Sequence, residues 1–104
     1  MSILETDTER KACSWAADNF GARNVKLQKK LGWPDRLFLW RGKCLFIEFK
    51  RKGEEARKIQ AHVLQFLKDD GFDSMVIDDL EKFKVFFEVW VKKHERMGPT
   101  SLSK

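Results

Sequence analysis

The spacing of apolar residues changes period along the chain, and each change marks an element. Ala12, Trp15, Ala16 and Asn19 recur at helical spacing, which predicts an α-helix with a small and aromatic inner face. Thr6 and Glu9 stand three apart at its start, the spacing of a capping box, and Gly21 supplies a left-handed stop after Phe20. From Arg23 to Gln28 the chain alternates around Val25 and Leu27, as a short strand does. The stretch from Lys29 to Pro34 breaks it as a loop, because proline has no N–H to give to a ladder. Asp35 to Trp40 and Lys43 to Lys50 are the strongest strand signals, and Arg41-Gly42 joins them as a tight hairpin. Glu54 to Asp70 follows a helical stripe of Ile59, Val63, Phe66 and Leu67, closed by Gly71. Asp73 to Ile77 is a short apolar strand, and a last helix from Asp79 to Glu95 carries Leu80, Phe83, Phe87, Trp90 and Val91. Gly98 to Lys104 is a loose tail. The order αβββαβα describes a single α/β domain over residues 1–104, without repeats or a linker.

The hairpin has a chemical consequence. With Arg41 and Gly42 as its two loop residues, Trp40 faces Lys43, and Asp35 lies opposite Glu48 on one face of the sheet. Leu37 opposite Phe46 and Leu39 opposite Cys44 share that face, and Lys50 joins it two residues beyond Glu48. A three-residue loop would send Asp35 and Glu48 to different faces, so the pairing depends on the register. Like charges placed across two strands cost up to about 1 kcal/mol, and something must compensate. One reading is a solvated pair at the sheet rim. The other is a divalent-metal site, where hard oxygen ligands hold the ion through one or two carboxylates plus water and phosphate. Gln60 follows on the next helix, beside Ile59, and by itself reads as a rim glutamine with its amide in water.

Composition narrows the class. Apolar residues make up 42% of the chain, with nine Phe and four Trp, which argues against wholesale disorder. The apolar runs are too short to span a membrane, and the start lacks the basic and apolar regions of a signal peptide. Cys13 and Cys44 form no CxxC pair, which fits a reducing cytoplasm. His62 and His94 are too far apart to suggest a structural zinc site. The net charge of +5 is unevenly placed: twelve basic and four acidic residues between Arg23 and Lys58 give +8, and the remainder carries −3. That stretch is either a solvated basic face or a polyanion-binding surface. Lys26, Lys29, Lys30, Arg36, Arg51, Lys52, Arg57 and Lys58 flank the acidic pair and are the candidate phosphate contacts. Trp33 is expected to pack over its loop rather than stack on a base. Phe83, Phe86, Phe87, Trp90 and Val91 exceed one narrow stripe, so the last helix either covers the sheet broadly or offers a second apolar flank to a dimer partner.

Taken together, Gly32-Trp33-Pro34-Asp35-Arg36, Glu48-Phe49-Lys50 and Gln60, preceded by the helical Glu9, resemble the PD-(D/E)xK nuclease superfamily. Within it they are similar to the virus-type replication-repair nuclease (VRR-NUC) domain, from Glu9 to about Ile77. The resemblance implies an αβββαβ restriction-endonuclease-like core, a mixed central sheet flanked by helices, followed here by a C-terminal helix. It implies metal-dependent phosphodiester hydrolysis with Mg²⁺ or Mn²⁺. Asp35 and Glu48 would be metal ligands together with the backbone carbonyl of Phe49, and Glu9 would complete the site through a second metal or a metal-bound water. Lys50 would orient the attacking water and offset charge on the phosphate, and Gln60 would help position that nucleophile or Lys50. Glu5, one turn before Glu9, competes for the helical role. Phe49 stands where the family often has Leu or Val. Stand-alone members include dimers that act on four-way DNA junctions, so the implied partners are branched DNA, above all Holliday junctions, and a second copy of the chain. A nickase or flap nuclease on the same scaffold, and an inactive nucleic-acid-binding module, are the alternatives. The implied setting is the cytoplasm, at the nucleoid, for a host- or phage-encoded protein.

Overall fold

The computed structural model describes residues 7–27, 31–51, 53–54 and 57–96. They form α1 (Asp7–Phe20), β1 (Arg23–Lys26), β2 (Arg36–Trp40), β3 (Lys43–Phe49), α2 (Lys58–Asp69), β4 (Asp73–Ile77) and α3 (Leu80–Arg96), the expected order. The four strands make one mixed sheet in the order β1-β2-β3-β4. β1, β2 and β3 are antiparallel neighbours, and α2 carries the chain over to β4, which runs parallel to β3. The tail, Thr6, Gln28, Lys29, Lys30 and Lys52 lie outside the described residues.

The hairpin register is the one that the two-residue loop requires. Trp40 pairs with Lys43 and Leu37 with Phe46, and both turn residues have positive φ, 48° at Arg41 and 78° at Gly42. That is a type I′ turn, whose twist matches the strands it joins. A left-handed arginine costs about 1–2 kcal/mol. Its guanidinium sits 4.8 Å from the Trp40 ring centroid, an attraction that offsets part of that cost.

The strand alternation sorts side chains onto two faces. Phe38, Trp40, Leu45, Ile47, Phe49 and Ile77 point to one, where Ala12 and Ala16 of α1 and Phe83, Phe87, Trp90 and Val91 of α3 close the main core. Phe46 and Leu37 point to the other, where Val63, Leu67 and Phe66 of α2 and Trp33 of the loop cover them. Trp33 sits edge-on to Phe46 and Phe66, with centroids 6.3 and 5.5 Å away, so it packs over its loop as expected.

Several expectations are corrected. Strand β1 stops at Lys26, and Val25 is exposed, since β1 is an edge strand. Asn19 is exposed and donates its amide to the Trp15 carbonyl instead of facing inward. Helix α2 begins at Lys58, not Glu54: the carbonyl of Arg51 accepts the Glu54 amide, and Gly53 has φ +81°, a turn that a helix cannot continue. Ile59 is consequently off the inner stripe and half exposed. On α3, Phe83, Phe87, Trp90 and Val91 are buried in the main core and Phe86 is half-buried against it. Trp15 of α1 meets Phe83 and Phe87 edge-on at 6.0 and 6.1 Å, so α3 packs against both the sheet and α1 and needs a wide apolar face.

Candidate active site

Asp35 occupies the bend just before β2, where its backbone amide donates to the Ile47 carbonyl and extends the hairpin by one residue. Its side chain turns back along β3 and accepts the Phe49 amide at 2.8 Å on Oδ2. Glu48 lies on the same sheet face, is 4% exposed, and receives two donors on Oε2: Gln60 Nε2 at 3.0 Å and Lys50 Nζ at 3.3 Å. Asp35, Glu48, Lys50 and Gln60 therefore converge at the end of β3 where the antiparallel hairpin stops and the parallel crossover begins. Lys50 is anchored by its own amide, which donates to Ile77 of β4.

Gln60 is not a solvated rim residue. It is buried, and its amide works at both ends: Oε1 accepts the Arg57 amide at 2.9 Å, half of a capping box, while Nε2 holds Glu48. The first turn of α2 is thus locked to the acidic pair by one side chain. The loop ahead of Asp35 is fixed from the same helix. Gly32 has φ +81°, and a Cβ there would come within 2.6 Å of Ile59 Cγ1 and 3.0 Å of the Ile59 carbonyl. Only glycine lets this loop lie against α2.

Glu9 is buried. Its Oε2 accepts Arg36 Nε at 2.7 Å and Lys26 Nζ at 2.9 Å, and Arg36 also donates to Asn24 at 2.8 Å. Arg36, with a side chain 12% exposed, is turned inward to Glu9. Asn24 gave no sequence signal beyond being a polar residue on an edge strand, where it pairs with Phe38 and lies diagonal to Arg36. Arg51, Arg57 and Lys58 are exposed beside the site, whereas Lys29, Lys30 and Lys52 lie outside the described residues.

Electrostatics single out the acidic pair. Burial, then the Asp35 charge, pushes Glu48 up to about 7, against the pull of Lys50. Asp35 is raised by burial and by Glu9, with the Phe49 amide opposing. A buried and a half-buried carboxylate, both with raised pKa values, present hard oxygen donors and negative charge that the surroundings under-compensate, which fits a divalent cation. Among the described residues no group of three His, Cys, Asp or Glu side chains converges, and Asp35 and Glu48 are the two carboxylates that could hold such an ion.

No family model matches the sequence, and no curated protein matches it. A solved structure described as a VRR_NUC domain superposes with a TM-score of 0.66, over 80% of this chain and 97% of that chain, at 21% sequence identity. The chain has the fold of that domain, a restriction-endonuclease-like α/β core of three helices and a mixed four-stranded sheet.

Proposed function

We propose that this chain is a metal-dependent, structure-specific DNA endonuclease that cuts phosphodiester bonds at branched junctions, four-way junctions included, and works as a homodimer. The observation that carries the reading is the Asp35–Glu48 pair, with Lys50 and Gln60 against the buried Glu48, on a fold shared with a VRR_NUC domain. A purely binding module gains nothing from two under-compensated acids facing a phosphate, which disfavours the inactive alternative.

Asp35 and Glu48 would hold Mg²⁺ or Mn²⁺, with the Phe49 carbonyl as a further donor. The ion, when bound, neutralises phosphate oxygens and makes bound water a stronger acid. Lys50, tied to Glu48 Oε2, presents a positive charge toward the phosphate and orients the attacking water. Gln60 fixes the Glu48 carboxylate, and through it the distance to Lys50. Glu9, tied to Lys26 and Arg36, supports the site from α1. Arg51, Arg57 and Lys58, with Lys29, Lys30 and Lys52, would meet the DNA backbone, so affinity falls steeply with salt.

The test is cleavage of labelled four-way junction, flap and linear duplex with Mg²⁺, with Mn²⁺ and with EDTA. Paired, metal-dependent nicks in the junction support the proposal. Binding without cleavage under every condition supports the inactive module, and flap incision alone moves the chain to the flap-nuclease class.

A further inference from the structure

A second group of cations stands away from the acidic pair. Between the turn after α1 and the tip of the β2–β3 hairpin lies an open cleft of about 410 Å³, lined in part by Arg23, Arg41 and Lys43, and none of its lining residues is acidic. Lys26 and Arg36 are occupied by Glu9, whereas among the described residues no carboxylate forms an ion pair with Arg23, Arg41 or Lys43. Arg41 holds its place against the preference of the backbone. Its φ is 48°, at a turn position that favours Asn or Gly, and the arginine costs about 1–2 kcal/mol there. Its guanidinium lies over the Trp40 ring at 4.8 Å, and Trp40 is itself tied to the Phe20 carbonyl at 3.1 Å. The charge is thereby held at the rim of the cleft.

Strand pairing connects this cleft to the acids across one sheet face. Asp35, Leu37 and Leu39 alternate onto that face, where Val25 pairs with Leu37 and Arg23 with Leu39. Helix α2 covers Leu37 and Phe46, but Val25 is 48% exposed and Arg23 is exposed, so an open strip runs along β1. At the other end of the strip the Leu27 amide donates to the Asp35 carbonyl. Four residues separate Leu27 from Arg23, about 13 Å at the strand rise. One strand of duplex DNA advances about 3.4 Å per nucleotide, which puts the cleft about four nucleotides from the acidic pair.

We propose that this cleft is a separate phosphate-binding point of the DNA surface, where Arg23, Arg41 and Lys43 hold the backbone about four nucleotides from the bond placed at Asp35 and Glu48, a role that rests on the nuclease reading and extends it. Contacts of this kind carry no sequence information. They fix the register of the duplex on the protein, and so which phosphate reaches the acidic pair. Two anchored points about 13 Å apart also set the direction in which the strand crosses the sheet, along β1 rather than over α2.

Fluorescence anisotropy of a labelled duplex in EDTA, over a series of salt concentrations, reads these contacts without catalysis. Each phosphate contact contributes about 0.9 to the slope of log affinity against log salt. Arg23→Ala and Arg41→Gly should each lower the slope by about 0.9, and the double variant by about twice as much. Glycine suits the positive φ at position 41, so the turn is kept. Lys68→Ala removes an exposed charge beside β4, at the opposite edge of the sheet, and should leave the slope unchanged. An unchanged slope in Arg23→Ala and Arg41→Gly, an equal fall in Lys68→Ala, or a wild type that binds no DNA each overturn the cleft. Cleavage is scored separately. Metal-dependent cutting with unchanged slopes removes the cleft and leaves the nuclease, and the expected slopes without cutting under any metal do the reverse.

Discussion

Raising the pH from 5 to 8 should destabilise the metal-free protein, and Glu48 should be the cause. Its carboxyl ionises near 4.5 when solvated but near 7 in the fold, because burial and Asp35 disfavour its charge. Between those values the folded chain holds more protons than the unfolded chain, so unfolding free energy falls as pH rises and levels off above about 7. The full step converts to about 3 kcal/mol, a substantial part of the 5–15 kcal/mol of a typical domain. Asp35 is shifted in the same direction, so its contribution has the same sign. Asp73 and Asp78 do not confuse the result: both are lowered, so their contributions are complete above the ordinary carboxyl value and flat in this window. Urea denaturation in EDTA, repeated at half-unit steps of pH, reads the slope. Glu48→Gln copies the protonated side chain and removes the repulsion on Asp35, so its profile should be nearly flat and should cross above wild type at pH 8. A flat wild-type profile, or an equal slope in Glu48→Gln, would refute the reasoning.

Four further expectations follow from the same geometry. Lys50→Ala should abolish cleavage while gel-shift binding of DNA survives; full activity would remove Lys50 from the chemistry. Asp35→Asn should lower metal affinity at least tenfold by titration calorimetry, a loss of about 1.4 kcal/mol, and unchanged affinity would take Asp35 out of the ligand set. Gly32→Ala should cost about 2–3 kcal/mol in urea titrations, since a methyl 2.6 Å from Ile59 Cγ1 must displace α2 in addition to straining φ. Glu9→Gln should destabilise by about 3 kcal/mol near neutral pH, because it leaves Arg36 and Lys26 facing a neutral amide; a gain in stability would show that Glu9 is not held as described.

Local signals made the sheet legible, and helix placement is where reading the sequence stopped. Arg41-Gly42 fixed which residues face one another, so the convergence of Asp35, Glu48 and Lys50 could be read from alternation alone. Gln60 could be placed only by resemblance, because its contact with Glu48 depends on which sheet face α2 covers. The false start of α2 at Glu54 arose because Glu54 and Glu55 suit a first helical turn, while the turn at Gly53 depends on its positive φ. On α3, the breadth of the apolar face was legible but not its purpose. A helix wedged between a sheet and a second helix buries both flanks, and its exposed row, Val85 and Val89, is the one that counting apolar residues passes over.

Charge balance differs between Glu9 and the Asp35–Glu48 pair. Glu9 contacts two cations, Arg36 and Lys26. Asp35 and Glu48 together bring two negative charges, and among the described residues Lys50 is the cation in ion-pair contact with them. Gln60 and the Phe49 amide supply dipoles, which orient the carboxylates without neutralising them. The consequence appears in Glu48, lifted to about 7 despite Lys50 at 3.3 Å. Near neutral pH the pair must therefore retain a proton, acquire a cation, or bear the repulsion. The +8 segment contributes to this difference: Lys26 and Arg36 are drawn to Glu9, while Arg51, Arg57 and Lys58 stay at the surface beside the site. Among the described residues the pair therefore carries one ion-paired cation for two carboxylates, beside an exposed basic surface, which is the basis on which a divalent ion is proposed to sit there.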